Sequence, residues 1–320
     1  MSEPLLAIES LSVDFGTPRA PFLAVDDFSL EVRRGEVVGI VGESGSGKSV
    51  SMLAVLGLVD APGRISASRI AFGGTDLLGL SSRARRGRLR GRIGMIFQDP
   101  VASLDPSYTV GAQIVETLRA QHGLSASAAR DRAGELFAMV EIPDPASRLE
   151  AYPFQLSGGL CQRVMIALAL AGEPELLIAD EPTTALDVTI QAQILALLAR
   201  LQAERGMALV LITHDLAVLV HTAQRVAVMY AGQLVEIARV DEIFAQPRHP
   251  YTRALLASIP ERSRGARRLP SLAGTVPGRG ARPPGCLLAP RCPRVEADCT
   301  GTKPALEAGV RCLHPHEVTP

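Results

Sequence analysis

The sequence predicts an α/β protein in which a mainly parallel sheet is covered by helices on both faces. Short apolar runs rich in β-branched residues indicate buried strands, and they include EVVGIV (36–41), ELLIADEP (175–182) and MALVLITHD (207–215). The amphipathic stretch TIQAQILALLARLQAERG (189–206) predicts a helix that is capped by Gly206. Buried strands that alternate with helices favour parallel pairing, because a parallel neighbour needs a crossover connection.

Further strands are expected on both sides of the first buried run. Alternation of apolar residues predicts strands in LLAIESLSVDFG (5–16) and AVDDFSLEVRRGEVVGIV (24–41), and short strands are expected near ISASRIAFGG (65–74) and RIGMIFQ (92–98). Residues from about 105 to 172 are predicted to be mostly helical, because apolar residues recur there at helical spacing.

A change of composition near residue 245 predicts a domain boundary. Beyond it Pro, Arg and Gly are frequent, strand and helix signals weaken, and four of the five cysteines occur. We therefore expect one domain at 1–244 and a C-terminal extension at 245–320, a division that 320 residues can support.

Charge and hydropathy limit the expected location and partners. The formal net charge is zero, so no overall field favours nucleic acid. The dense basic run RARRGRLRGR (83–92) is interpreted as solvated surface, with nucleic-acid contact as the weaker alternative. The longest apolar run, VMIALALAG (164–172), is far shorter than the ~20 residues that span a bilayer. Because MSEPLLAIES also lacks the basic start of a signal peptide, we expect a cytoplasmic protein.

The stretch GESGSGKS fits G-x-x-x-x-G-K-[ST], a pattern that cradles phosphate groups. Its glycines let the backbone turn tightly, so that successive N–H groups point inward. Lys48 would place its ammonium on the outer phosphates, Ser49 would offer a hydroxyl to Mg²⁺, and the following helix would direct its positive end at the anion. The candidate nucleotide-binding residues here are Gly42, Glu43, Ser44, Gly45, Ser46, Gly47, Lys48 and Ser49.

The use of lysine supports this assignment. The chain has two lysines, Lys48 and Lys303, and every other long cationic residue is arginine. A compact ammonium and a wide planar guanidinium are not interchangeable in a tight phosphate site. No internal repeat is visible, which predicts a single nucleotide-binding unit.

A pair of acidic residues follows a predicted buried strand. LLIAD ends in Asp180, at the carboxyl edge where ligands bind in open α/β sheets, and an acidic group there can hold Mg²⁺. Glu181 comes next and is placed to orient or deprotonate an attacking water.

A second phosphate-binding surface is predicted in LSGGLCQR (156–163). Ser157, Gly158 and Gly159 lie where a helix should begin, and one nucleotide cannot easily use both this surface and the phosphate loop. The stretch resembles the signature motif of the ATP-binding cassette (ABC) family, in which two cassettes dimerise head to tail. ATP then lies between the phosphate loop of one cassette and the signature of the other. Leu160 replaces the Gln that is usual in this motif.

Other motifs of the family recur in order, and their roles are implied by the resemblance. Gln98 in IFQDP matches the Q-loop, which senses the γ-phosphate and faces the membrane partner. Asp187 in TTALD matches the D-loop, and His214 in LITHD matches the switch histidine. Phe15 in VDFG matches the aromatic residue that stacks on adenine, where the family often has Tyr. The implied catalytic residues are Glu181, His214 and Gln98, and the implied magnesium ligands are Ser49, Gln98 and Asp180.

The finer sequence resembles the dipeptide/oligopeptide/nickel importer ATPases of bacteria over nearly all of the chain. PRHPYTRALLASIP (247–260) is similar to that branch, and GLVDAPGRI (57–65), IPDPASRL (142–149) and GCLLAPRCP (285–293) are typical of its dipeptide-type subunit. The implied fold is a P-loop (RecA-like) nucleotide-binding domain with an antiparallel β subdomain and an inserted α-helical subdomain at about 105–172. A small irregular extension that contains cysteines follows it.

This resemblance also implies the partners. A second, homologous ATPase subunit pairs with the chain beneath two membrane permease subunits, at the cytoplasmic face of the bacterial inner membrane. An extracytoplasmic binding protein delivers the cargo. ATP would draw the two cassettes together and hydrolysis would let them part. The cargo stays open among dipeptides, oligopeptides, haem, nickel and other small solutes.

The tail cysteines have the spacing C-x₅-C-x₆-C-x₁₂-C. Clustered cysteines in a cytosolic protein more often serve metal or redox chemistry than disulfides. Four thiolates suit zinc or an iron–sulfur cluster, and plain thiols are the third alternative. The resemblance to the tails of oligopeptide and dipeptide ATPases favours a [4Fe–4S] cluster. The candidate ligands are Cys286, Cys292, Cys299 and Cys312.

The alternative function is that of a soluble ABC ATPase that acts on nucleic acid or ribosomes. Such proteins usually carry two cassettes or long coiled-coil insertions, and neither is visible here. The zero net charge adds nothing in favour of this alternative.

Overall fold

The computed structural model describes residues 3–17, 20–184, 186–259, 272–278 and 280–317. The chain forms two compact units. The first unit comprises Met1–Arg33, Val37–Leu80 and Ile212–Pro320, and the second comprises Arg34–Glu36 and Ser81–Leu211. Within the described residues, no helix is both long and apolar enough to cross a membrane.

Strands predominate up to Ile96, and helices predominate from Val110 to Leu170. The strands are β1 (Leu6–Asp14), β2 (Leu23–Val32), β3 (Val37–Val41), β4 (Arg64–Ser66), β5 (Arg69–Phe72), β6 (Thr75–Asp76), β7 (Ile93–Ile96), β8 (Leu176–Asp180), β9 (Ala208–Thr213), β10 (Arg225–Tyr230) and β11 (Gln233–Arg239). The helices are α1 (Lys48–Leu56), α2 (Ser82–Leu89), α3 (Val110–His122), α4 (Ala126–Met139), α5 (Pro145–Arg148), α6 (Gly158–Leu170), α7 (Val188–Arg205), α8 (Leu216–Leu219), α9 (Val240–Ala245) and α10 (Pro250–Ala257).

The first unit contains an antiparallel sheet with the order β2-β1-β5-β6, and β4 also pairs with β1. Leu6 lies opposite Val32 of β2 and opposite Phe72 of β5, so β1 is the central strand. The alternation predicted at 5–16 and the short strands predicted near 65–74 correspond to β1, β4 and β5. This sheet is the antiparallel β part that the sequence resemblance implies.

In the same unit, β3 pairs in parallel with β10, which pairs antiparallel with β11. All five residues of β3 are buried. A strand buried on both faces needs no polar alternation, and this accounts for its continuous apolar run. The loop between β3 and α1 contains the predicted phosphate-binding residues.

The second unit contains a parallel pair, β7 and β8, and the helices α2 to α7. The helix predicted at 189–206 is confirmed, because α7 ends at Arg205 and its capping residue Gly206 has a left-handed φ of 61°. The stretch predicted to be mostly helical, 105–172, contains α3 to α6, and α3, α4 and α6 pack on one another.

The described part of the C-terminal extension is mostly irregular, with short 3₁₀ turns at Ala289–Arg291 and Ala297–Thr300. Arg311 ties it to the rest of the first unit. This buried guanidinium donates to the carbonyl oxygen of Leu234 at 3.0 Å and pairs with the Asp27 carboxylate at 3.0 Å. Residues on both sides of position 245 belong to this unit, and the boundary there stays a prediction.

Candidate nucleotide-binding site

The loop between β3 and α1 requires glycine at several positions. Gly45 and Gly47 have φ angles of 76° and 93°, in a region that other residues rarely adopt. A Cβ atom on Gly47 would lie 2.4 Å from the carbonyl oxygen of Ala24, and one on Gly42 would lie 2.1 Å from that of Met229. The phosphate-loop pattern therefore coincides with real steric demands in this fold.

Lys48 is held against the concave side of the loop. The residue is 4% exposed, and Nζ donates to the carbonyl oxygens of Gly42 at 2.8 Å and Glu43 at 3.1 Å. Lys48 is also the first residue of α1, so its ammonium and the positive helix end occupy the same place. The combination favours an anion.

One polar atom of the loop has the environment of a ligand contact. The Ser46 hydroxyl oxygen is buried, and no group among the described residues forms a hydrogen bond with it. Buried hydroxyl groups normally form hydrogen bonds, so a ligand is expected to supply the hydrogen-bond partner of this oxygen. A phosphate oxygen fits this requirement, and the loop therefore fits the phosphates of a nucleotide.

His214 and Phe15 lie in the first unit as well. His214 follows β9 and is exposed, and it borders a cleft of about 350 Å³ that Leu255 and Ser258 also line. Phe15 follows β1 and is half-buried. A Cβ atom on Gly63 would lie 2.8 Å from its ring, so Phe15 is packed closely on one side.

In the second unit, the structure brings Gln98 and Glu181 together. The Nε2 atom of Gln98 donates to the Glu181 carboxylate at 3.2 Å. The register explains this contact, because Ile96 of β7 lies opposite Ala179 of β8 and each polar residue lies two positions beyond its member of that pair. Asp180, the last residue of β8, is buried. Glu181 has a φ of 43°, a strained conformation that is frequent at functional sites.

Thr184 completes this arrangement and was not predicted. Its hydroxyl donates to the same carboxylate oxygen of Glu181 at 2.8 Å, and its N–H donates to the carbonyl oxygen of Glu181 at 3.1 Å. The signal in the sequence was a threonine three residues after an acidic residue, a spacing that suits local turns. With two donors on one oxygen, the Glu181 carboxylate is fixed in orientation.

The signature residues begin α6 and are open to solvent. Ser157 is the N-cap, with its Oγ accepting from the N–H of Leu160 at 3.4 Å. A Cβ atom on Gly158 would meet the side chain of Leu186 at 3.7 Å, an ordinary contact distance. The fold of this chain therefore does not require glycine at position 158.

Asp187 also has a local role. It caps α7, because its Oδ1 atom accepts from the N–H of Ile190 at 2.9 Å. Such a cap contributes about 1 kcal/mol to helix stability. The helix cap accounts for an acidic residue at this position, and the D-loop role stays a prediction.

The four tail cysteines line one small cavity in the first unit, together with His249, Arg294 and His314. Burial raises the pKa of the Cys286 and Cys292 thiols and raises the pKa of Cys312 to about 11. Among the described residues, the one group of three metal-binding side chains whose ligand atoms all lie within 4.8 Å of one another is Asp298, Cys299 and His314. The cysteines thus share a cavity, although no three of their sulfur atoms are that close.

Two regions of the chain match known families. Residues 25–184 match the family described as "ABC transporter", and residues 235–299 match the family described as "Oligopeptide/dipeptide transporter, C-terminal region". The first range contains the phosphate loop, the signature and the Gln98–Glu181 pair, and the second contains three of the four tail cysteines.

Similar proteins cover almost the whole chain. Dipeptide transport ATP-binding proteins of Haemophilus influenzae and Escherichia coli are each 57% identical over 302 residues, which is 94% of this chain and 92% of theirs. A putative peptide import ATP-binding protein of Brucella abortus is 48% identical over 304 residues, 95% of this chain and 91% of its own length.

Comparison with solved structures also identifies ABC proteins as similar to this chain. The dimeric post-hydrolysis state of the ATP-binding cassette MJ0796, bound to ADP and Pi, superimposes with a TM-score of 0.66 at 29% identity, over 73% of this chain and 98% of that one. The cbiO1 protein of Clostridium perfringens gives a TM-score of 0.65 at 28% identity, over 77% of this chain and 92% of that one. The predicted fold class is confirmed, and the chain belongs to the ABC transporter family of ATPases.

Proposed function

We propose that this ATPase energises the import of dipeptides or oligopeptides through a membrane ABC transporter. The observation that carries the proposal is the 57% identity to dipeptide transport ATP-binding proteins over 94% of the chain. Identity of this extent covers the nucleotide motifs and the C-terminal region alike. The location follows as the cytoplasmic face of the bacterial inner membrane, where the chain binds peripherally.

The phosphate loop is proposed to bind the triphosphate of ATP. Lys48 neutralises outer phosphate charge, the N–H groups of the loop and of α1 donate to phosphate oxygens, and the Ser46 hydroxyl gains the partner that its burial requires. Phe15 is assigned to the adenine ring. Ser44 and Gly45 contribute backbone N–H groups to the same loop.

Glu181 is proposed as the general base for ATP hydrolysis. Its carboxylate accepts hydrogen bonds from Gln98 and Thr184, which orient it without supplying a competing proton acceptor. His214 is assigned to the γ-phosphate. The oxygen donors of Ser49, Gln98 and Asp180 suit Mg²⁺, which would neutralise phosphate charge when bound.

The signature residues are proposed to serve the ATP of a partner cassette. Ser157, Gly158 and Gly159 expose a helix N-terminus in a helix of 13 residues, which suits a phosphate. Asp187 is proposed to lie at the same dimer interface, on the basis of its match to the D-loop. The partners would be a second, homologous ATPase, two permease subunits and an extracytoplasmic peptide-binding protein.

The transport cycle follows from differential affinity. ATP binds the closed pair of cassettes more tightly than the open pair and therefore shifts the population toward closure. Hydrolysis and phosphate release remove that preference. The Q-loop region would transmit the change to the permease subunits, which alternate between outward and inward access.

Uptake of radiolabelled dipeptides tests the cargo. We expect cells that lack this chain to lose dipeptide uptake, and re-expression of the wild-type chain to restore it. Re-expression of Lys48→Ala should give less than about a tenth of wild-type uptake, since the ammonium on the phosphates is lost. Exposed Arg239→Gln serves as the matched control and should restore uptake fully. Normal dipeptide uptake without the chain, with loss of nickel, haem or longer-peptide uptake, would contradict the dipeptide assignment.

No observation favours the nucleic-acid alternative. Each relative described above carries a transport name, and the match at 235–299 is to a peptide-transporter region. The import function is therefore retained as the conclusion.

We also propose that the tail thiols bind a [4Fe–4S] cluster, with zinc as the alternative. Four thiolates in tetrahedral contact with zinc lie about 3.8 Å apart, because each Zn–S bond is about 2.3 Å. The four cysteines line one cavity, but no three of their sulfur atoms lie within 4.8 Å of one another, and a polynuclear cluster suits such wider spacing. Zinc would instead suit the closer trio of Asp298, Cys299 and His314.

Metal analysis after anaerobic purification separates these alternatives. We expect about four iron and four sulfide per chain, a brown colour, and loss of both iron and colour in Cys286→Ser. His314→Ala is the matched control and should retain the iron. Stoichiometric zinc that is lost in His314→Ala would support the trio, and a colourless, metal-free protein would contradict both sites.

A further inference from the structure

The C-terminal extension contacts the phosphate loop through one ion pair. The Arg291 guanidinium donates to both carboxylate oxygens of Glu43, each at 3.2 Å. The Arg291 side chain is only 7% exposed and that of Glu43 is 32% exposed, so solvent screens the pair less than a surface salt bridge. Glu43 is the second residue of the phosphate loop, so the pair joins the tail to the loop that is assigned to the phosphates.

Glu43 is held at three points. Its N–H donates to the hydroxyl oxygen of Tyr251 at 3.0 Å, its carbonyl oxygen accepts from Lys48 at 3.1 Å, and its carboxylate is bound by Arg291. Tyr251 comes from α10 and Arg291 from the tail. The conformation at the start of the loop therefore depends on residues far along the chain.

Arg291 is itself fixed in place. Its Nε atom donates to the carbonyl oxygen of Ala273 at 3.0 Å, and its guanidinium lies 5.7 Å from the ring centre of Tyr230. It ends the 3₁₀ turn Ala289–Arg291, which lies between Cys286 and Cys292 of the thiol cavity. The turn that lines the thiol cavity thus also presents a cation to the phosphate loop.

We propose that Arg291 is a positioning residue for ATP binding, which neutralises the Glu43 carboxylate and fixes the start of the phosphate loop. ATP carries several negative charges, and an unneutralised carboxylate beside it would oppose binding. Arg291 removes that opposition before ATP arrives. The proposal rests on the assignment of residues 42–49 as the phosphate loop.

Equilibrium binding of MgATP to the full-length chain tests the proposal. We expect Arg291→Gln to weaken ATP binding about tenfold, because the Glu43 charge is then exposed to the phosphates. Arg291→Lys, which keeps the charge, should recover most of the affinity. Arg239→Gln is the matched control: it removes another arginine–carboxylate pair of the same unit, that with Asp241 at 3.1 Å, and should leave ATP binding unchanged.

The decisive variant combines Arg291→Gln with Glu43→Gln. If charge neutralisation is the role of Arg291, the double variant should bind ATP several-fold more tightly than Arg291→Gln alone, because the carboxylate that Arg291 neutralises is then removed. A role confined to folding would not be reversed by removing the opposing charge. In the assembled transporter, Arg291→Gln should raise the KM for ATP and leave kcat unchanged.

Three results would overturn the proposal: wild-type affinity in Arg291→Gln, no recovery in the double variant, or a tenfold loss in Glu43→Gln alone. If Arg291→Gln does not fold, Glu43→Gln and Arg291→Lys still decide the question. Lys48→Ala distinguishes failure of this inference from failure of the site. Loss of ATP binding in Lys48→Ala with full binding in Arg291→Gln rejects only the positioning role, whereas full binding in Lys48→Ala rejects the phosphate-loop assignment.

Discussion

The Glu181→Gln variant is expected to lose ATP turnover by at least about a hundredfold in the assembled transporter and to keep its affinity for ATP. An amide has nearly the shape of the carboxylate but cannot accept the proton of the attacking water. The hydrogen bonds from Gln98 and Thr184 can still be accepted by the amide oxygen, so the loop keeps its geometry. With hydrolysis blocked, ATP should hold the two cassettes in the closed state.

Phosphate release and nucleotide binding should be measured on the same preparation. Glu173→Gln is the matched control, because Glu173 lies in the same unit and shares a left-handed backbone, with a φ of 55° against 43° for Glu181. It should hydrolyse ATP at the wild-type rate. Unchanged hydrolysis in Glu181→Gln would reject Glu181 as the base, and loss of ATP binding would indicate a structural role.

The Gly158→Ala variant is expected to be as stable as the wild-type chain, or more stable by up to about 1 kcal/mol, and yet to lose at least about tenfold in turnover. Alanine has a higher helix propensity than glycine. The added Cβ atom would meet the Leu186 side chain only at 3.7 Å. Turnover would fall without any loss of folding, because the methyl group would keep the phosphates of the ATP on the partner's phosphate loop away from the N-terminus of α6.

A second glycine provides the comparison. Gly134 lies within α4, and a Cβ atom there would have no neighbour within 4 Å. Gly134→Ala should raise stability by a similar amount and leave turnover unchanged. Thermal unfolding and ATP hydrolysis should be measured for both variants. A destabilised Gly158→Ala would show that the chain's own packing requires this glycine. Full turnover in this variant would contradict the assignment of the signature residues to an ATP site.

The sequence was sufficient for features whose cause is local. The burial of β3 and β8 and the end of α7 at Gly206 follow from apolar runs and a capping glycine, which need no knowledge of distant residues. The phosphate loop could be predicted for a different reason. Its glycines are required partly by the backbone of Ala24 and Met229, which are distant in sequence, but the motif itself records that requirement.

Contacts between distant residues could not be predicted. Gln98 reaches the Glu181 carboxylate because β7 and β8 pair in one particular register, which no short pattern specifies. Arg291 reaches Glu43 across most of the chain length. In an arginine-rich tail, no sequence pattern distinguishes the buried Arg291 side chain from the exposed Arg294. The same holds for Arg311, which anchors the extension.

The central claim is that each ATP of the transporter is bound by the phosphate loop of one cassette and the signature of the other. Photolabelling of the assembled complex, with ATP that carries a reactive group on its γ-phosphate, tests it directly. Mass spectrometry should find label in the stretch 156–163 of this chain. That label should persist in Lys48→Ala and disappear when the phosphate-loop lysine of the partner ATPase is replaced. Loss of the label in Lys48→Ala, with retention after the partner's substitution, would contradict the claim.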